Sequence, residues 1–215
     1  MRNICAIFLL IPLFGISQIP EDFGSWTKTS FDFKLNKKTN FNLKTELRTV
    51  DNSQKIKQTY NQLSFDRKIN KNISTSFAWR LRFLNKEYNY LLNNRFHNDL
   101  TLKNKIGDFY VYFRLRTQYN IDPIGLNEFY ERTRFKLKYN INKNTSTYLY
   151  NEFYFLMNEP SENSNFNKNR FGAGLKYKIN STLDLHLKYL RIRDFNIENP
   201  MIINIIGLGV SIDLN

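Results

Sequence analysis

Cysteine is almost absent. The chain of 215 residues has one, Cys5, inside an N-terminal stretch, MRNICAIFLLIPLFGISQ, that reads as an export signal. That stretch carries one charge at Arg2, an apolar run from Ile4 to Ile16, and small residues Gly15 and Ser17 at the offsets a signal peptidase reads. We expect residues 1–17 to be a cleaved signal peptide and 18–215 to form a single domain. Cys5 then leaves with the signal, which excludes disulfides and thiolate metal sites from the mature chain. Cys5 also precedes the apolar run, which argues against a lipid anchor. Long hydrophobic runs are missing as well. After the signal none reaches 18 residues, so a membrane-spanning helix is excluded and any membrane form has to be a closed barrel of strands. Histidine is scarce, with two, His97 and His186, far apart in sequence, so no metal site is expected. The GxSxG elbow and phosphate-cradling Gly-rich loops are absent, and neither a catalytic residue nor a cofactor can be assigned.

Base and aromatics are abundant. Lys and Arg number 32 against 19 Asp and Glu, with 19 Phe and 13 Tyr. Such a chain has the composition of a nucleic-acid binder, but export removes it from that partner. A lipopolysaccharide phosphate, or a small anionic solute at the cell surface, matches the charge better.

Alternation of apolar and polar residues runs through nearly the whole chain after the signal. Phe31, Phe33, Leu35, Phe41, Leu43 and Leu47 alternate with Asp32, Lys34, Asn42, Lys44, Glu46 and Arg48. A period of two means strands with one greasy and one polar face. Turn signals recur at Asn36, Asn70, Asn104, Asn142 and Asn180, each interval between neighbours holding two strands. Asparagine there suits the positive dihedral of a tight turn. Longer polar connections are expected near 51–57, 84–93, 120–128, 156–169 and 194–201. Short turns and long loops therefore alternate along about eleven strands between 24 and 214, as in outer-membrane barrels. Eleven is odd, and residues 18–26 either add part of a twelfth strand or return through the lumen. Sequons at Asn72, Asn144 and Asn180 fall in these turns and read as turn chemistry.

In FYVYFRLRTQY, residues 109–119, Phe109, Val111, Phe113, Leu115 and Tyr119 share one face, and Tyr110, Tyr112, Arg114, Arg116 and Gln118 the other. Arg80 and Arg82, Arg114 and Arg116, and Arg132 and Arg134 take equivalent mid-strand places, and Arg95 shares their parity. Guanidinium groups fork onto carboxylates and stack on rings, which suits a crowded polar interior better than open water requires. The expected lumen lining is therefore Arg80, Arg82, Arg95, Arg114, Arg116, Arg132, Arg134, Tyr110, Tyr112, Glu46, Asp99 and Glu152, with Asp32, Asp66, Glu128 and Asp184 as further acidic partners. His97 beside Asp99, and His186 beside Asp184, are the candidates for hydrolase chemistry, although no serine nucleophile can be assigned from spacing. Trp26, Tyr60, Tyr139, Tyr177 and Tyr189 are expected in an interfacial girdle. The final IIGLGVSIDL is an amphipathic strand of the kind the barrel assembly machinery recognises.

The signal, a GSW near the mature N-terminus, TELR in the second strand, the RLRF and RLRTQY strands and the barrel-like ending resemble the outer-membrane barrels of Gram-negative bacteria grouped as domain of unknown function 2490. The resemblance spans about 24–215 and implies an outer-membrane location without a known activity. The expected fold is an all-β, up-and-down antiparallel transmembrane barrel of about 10–12 strands, with short periplasmic turns and longer extracellular loops. The expected function is a structural or narrow transport barrel for small anions. The alternatives are a lipid-modifying hydrolase of the outer membrane and a secreted β-sandwich or lipocalin-like binder.

Overall fold

A computed structural model of the chain describes residues 19–86, 89–158 and 165–214; the expected signal peptide, 1–17, lies outside them. Eleven strands make up the described residues: β1 (Glu21–Lys34), β2 (Thr39–Val50), β3 (Lys55–Lys68), β4 (Ile73–Lys86), β5 (Asn89–Ile106), β6 (Phe109–Ile121), β7 (Glu128–Asn140), β8 (Thr145–Leu156), β9 (Phe166–Lys178), β10 (Leu183–Asp194) and β11 (Ile202–Leu214). Each strand pairs with its sequence neighbours, and β1 pairs with β11 to close the barrel. β4 runs to Lys86 and β5 starts at Asn89, so this hairpin extends well into the loop expected at 84–93.

Ten of the pairs are antiparallel and the closing pair is parallel, with Glu21 opposite Ile202 and Phe33 opposite Leu214. This departs from a wholly antiparallel barrel for a geometric reason: an odd number of alternating strands brings two of the same direction together. Residues 21–34 are one continuous strand, so the open question of the N-terminal path resolves as part of β1 and not as a twelfth strand. Following the register from Leu92 through Phe83, Thr59, Leu47, Thr27, Leu208, Leu187, Leu175, Thr147, Tyr139 and Phe109 returns to β5 at Ile106, fourteen residues further along. Such a stagger is what a closed barrel of tilted strands requires.

The alternation sets which face looks out. Phe77, Leu100, Leu115, Phe135, Leu149 and Leu175 are exposed on the exterior, whereas Arg80, Asp99, Arg116 and Glu152 are buried inside. Exterior rings pair across strands, Phe113 with Phe135 at 5.1 Å and Phe109 with Tyr139 at 5.4 Å. Exterior polar side chains also satisfy one another. Thr45 Oγ1 donates to Asn61 Oδ1 at 2.7 Å, Trp79 Nε1 to Asn94 Oδ1 at 2.9 Å, Thr117 Oγ1 to Glu131 Oε1 at 2.7 Å and Asn169 Nδ2 to Asn151 Oδ1 at 2.7 Å. Pairing of this kind is what a wall without water demands of its polar groups.

Turn chemistry differs from expectation. Asn36, Asn70, Asn142 and Asn180 do not have positive φ. Their Oδ1 atoms instead accept backbone N–H groups within the turn, for Asn142 from Asn144 at 2.9 Å and Thr145 at 2.7 Å, the Asx arrangement that mimics a backbone turn. Asn104 lies inside β5, and Gly107, with φ of 57°, makes the next turn. Left-handed residues gather at the other end: Asp51, Asn52 and Ser53. The Asp22 carboxylate accepts from Asp51 N at 2.9 Å and Asn52 N at 3.0 Å, which holds this uncommon backbone in place.

Candidate functional site

The arginines reach the lumen from consecutive strands because each sits on the inward parity of its own: Arg80 and Arg82 on β4, Arg95 on β5, Arg114 and Arg116 on β6, Arg132 and Arg134 on β7. Two carboxylates organise four of them. Asp99 on β5 takes Arg116 in a two-pronged fork, Nε on Oδ1 at 2.5 Å and Nη2 on Oδ2 at 2.6 Å, while Arg114 Nη1 reaches Oδ2 at 3.4 Å. Glu152 on β8, 2% exposed, accepts on one oxygen from Arg132 Nη2 at 2.8 Å, Arg134 Nη2 at 3.4 Å and Arg114 Nη2. Forked, charge-assisted bonds of this type are the strong ones.

The remaining arginines meet neutral groups. Arg80 donates twice to Gln62 Oε1, at 2.9 and 2.6 Å, and Arg95 Nε donates to Asn120 Oδ1 at 2.6 Å. Among the described residues Arg82 and Arg170 form no ion pair, and the buried Nε of each has no hydrogen-bond partner. Asp32, Asp66, Glu128 and Asp184, expected as arginine partners, make no ion pair with an arginine among the described residues; Asp184 holds Lys176 at 2.6 Å. Tyr110 and Tyr112 stand apart from the arginines near the turn end, where Lys103 Nζ lies 4.8 Å from the Tyr110 ring and Lys136 Nζ 5.5 Å from that of Tyr112.

A third carboxylate, Glu46 on β2, receives Arg48 Nε at 2.6 Å and lies 4.0 Å from Lys188 Nζ. Arg48 stacks over Trp26 at 3.6 Å, Arg80 over Tyr60 at 3.8 Å and Arg132 over Tyr154 at 4.0 Å. Trp26 and Tyr60 are buried at 7% and 2% exposure, so the girdle expected to include them is wrong for these two. Both have even numbers on strands whose even positions point inward, and parity outweighs nearness to a strand end. The same rule would have added Arg48, Arg170 and Lys188 to the lumen. Tyr139, Tyr177 and Tyr189 are on the exterior as expected.

Neither histidine forms the expected acid–base pair. Asp99 is engaged by arginines, and His97 Nδ1 is buried without a partner. His186 Nε2 instead meets Ser211 Oγ at 2.9 Å, and Ser211 Oγ meets Ser30 Oγ at 2.8 Å across the parallel seam. Sequence spacing gave no hint of this serine, because β10–β11 register creates the contact. Among the described residues no carboxylate hydrogen-bonds His186, and Asp184 is occupied by Lys176, so these residues do not assemble the oriented base of a hydrolase. No group of three metal-ligating side chains occurs among the described residues.

Cavities remain inside, three of which bear on the arginine network. A mid-lumen cavity of about 290 Å³ is lined by twelve Lys and Arg side chains and two glutamates, Glu46 and Glu152. A turn-end cavity of about 540 Å³ mixes Asp32, Asp66 and Asp99 with basic and hydroxyl groups. A loop-end cavity of about 250 Å³ is lined by Arg48, Arg82, Arg95 and Arg170, by the carboxylates Glu128 and Asp194, and by the apolar Trp26, Ile192, Ile203 and Ile205.

A closed barrel of eleven strands with an apolar exterior and a cation-rich interior is a porin-like β-barrel protein. The chain matches the family described as Protein of unknown function (DUF2490) over residues 23–201 and belongs to it. Among solved structures it is similar to the NanC porin in a rhombohedral crystal form, at 12% identity and a TM-score of 0.52, over 79% of this chain and 86% of that one. At that identity the likeness is one of fold. No curated protein matches the chain.

Proposed function

We propose that the protein is an outer-membrane barrel of a Gram-negative bacterium that admits small anions to a basic lumen. The mid-lumen cavity carries this reading, with twelve cations and two carboxylates in about 290 Å³. Arginines kept only for bracing would be matched nearly one to one by acids. An excess of one sign between low-dielectric walls concentrates counter-ions instead. Asp99 and Glu152 fix the frame, and Arg82 and Arg170, which form no ion pair among the described residues, are left for the solute. The exterior, with exposed Phe and Leu and mutually bonded polar groups, fits hydrocarbon. In this reading short turns face the periplasm, residues 1–17 direct export, and the barrel assembly machinery inserts the chain. Membrane lipid and lipopolysaccharide then surround the wall.

The test is the reversal potential of the refolded protein in a planar bilayer under a KCl gradient. The expected sign is that of a chloride-selective path. Cation selectivity would overturn the reading, and a complete lack of conductance would leave a structural barrel.

A further inference from the structure

The basic lining of the lumen is interrupted at one place. Toward the loop end of β10 and β11 the amphipathic pattern inverts: Arg193 is exposed on the exterior, while Leu190, Ile192, Ile203 and Ile205 point inward and pack with Trp26 into a buried apolar cluster. A path for hydrated inorganic ions has no use for such a wall, because polar residues would solvate both ion and water. Arg82 and Arg95, on β4 and β5, stand across the loop-end cavity from the cluster, and Arg170 of β9 borders the cavity beside Ile192. Arg82 and Arg170 form no ion pair among the described residues, Arg95 donates to the Asn120 amide, and the two acids of the lining are held by other groups, Asp194 by Lys168 at 3.2 Å and Glu128 by Asn120 and Tyr130. The cavity, about 250 Å³, is at the small end of ligand pockets. Its lining reaches Val50, Lys57 and the Lys168–Asp194 ion pair beside the loops.

We propose that this cavity binds an organic anion with an apolar body, a carboxylate or phosphate ester carried on an aromatic ring or short alkyl chain. The charged group sits on the Arg82, Arg95 and Arg170 side, where planar guanidinium forks match it. The body lies against Ile192, Ile203, Ile205 and the Trp26 ring, gaining about 25 cal/mol per Å² of apolar surface taken from water. The proposal rests on the anion-handling reading and narrows its solute to amphiphilic anions.

The chain has two tryptophans. Trp26 lines this cavity and Trp79 is on the exterior. In a Trp79→Phe variant, emission reports Trp26, which lines both this cavity and the mid-lumen one, and benzoate, acetate and benzyl alcohol serve as probes of matched charge or matched body. Benzoate is expected to change the emission saturably, at a concentration at least tenfold below that needed by either of the other two. Arg82→Gln, at a residue that lines this cavity and not the mid-lumen one, is expected to raise the benzoate concentration needed at least tenfold, and an unchanged concentration would place the binding elsewhere and overturn the proposal. In a Trp26→Phe variant, where Trp79 alone emits, benzoate should leave the signal unchanged. Equal action of acetate and benzoate would overturn the proposal while leaving the anion-handling reading intact, and equal action of benzyl alcohol would overturn it by removing the role of charge. If no anion acts and the bilayer path is not anion-selective, the broader reading fails too.

Discussion

One oxygen of Glu152 lies 2.8 Å from Nη2 of Arg132 on the neighbouring strand, and the same oxygen also accepts from Arg114 and Arg134. A single buried carboxylate therefore ties together three guanidinium groups from β6 and β7. Removing one partner of a buried ion pair leaves the others uncompensated, at a cost of about 3–5 kcal/mol. Glu152→Gln should lower the unfolding free energy by that amount, read as a lower urea midpoint for loss of the folded, unboiled gel band. An unchanged midpoint would mean that other groups neutralise the arginines.

The exterior gives a prediction that differs in size between lipid and water. Phe135 is 54% exposed at mid-strand. On a lipid-facing wall Phe135→Arg costs about 2–4 kcal/mol near the bilayer midplane, whereas on a water-facing surface it would be close to neutral. Urea titration of the variant refolded in lipid vesicles separates the two.

Gly24 sits where β2 carries a bulge between Arg48 and Thr49. A Cβ there would lie 2.4 Å from the Thr49 carbonyl oxygen, a backbone atom that cannot swing aside. Gly24→Ala is expected to destabilise by about 1–3 kcal/mol through forced backbone shift. Gly125→Ala, whose added Cβ meets nothing within 4 Å but whose φ is 88°, separates the cost of a clash from the cost of a left-handed backbone.

At the turn end, Asn142→Ala removes the acceptor for two backbone N–H groups. Both lie in an exposed turn, where water replaces the lost partner, so the expected loss is about 1 kcal/mol. Asn142→Asp, which keeps the acceptor, should restore most of it.

Period-two alternation made strand number and facing legible in sequence, since each residue's parity decides its side of the wall. Arg114, Arg116 and Asp99 share the inward parity of their strands and meet one another inside. The partners were not legible, because which arginines meet Glu152 depends on β6–β7–β8 register, which no single strand encodes. His97 shows the limit: Asp99 is two residues away in sequence, but the arginines of β6 compete for it with a stronger, forked geometry. Trp26 and Tyr60 were misplaced by weighing aromatic type above parity. The β10–β11 inversion was present in LRIRD and IINII, yet it reads as ordinary alternation until the pairing shows which side is inside.

The account stands on the claim that the apolar face meets lipid and the basic face encloses the lumen. Quenching by lipids brominated on their acyl chains tests it with one tryptophan at a time, in Trp26→Phe and Trp79→Phe proteins refolded into vesicles. The account predicts strong quenching of Trp79 and none of Trp26. Equal quenching of both, or of neither, would contradict it.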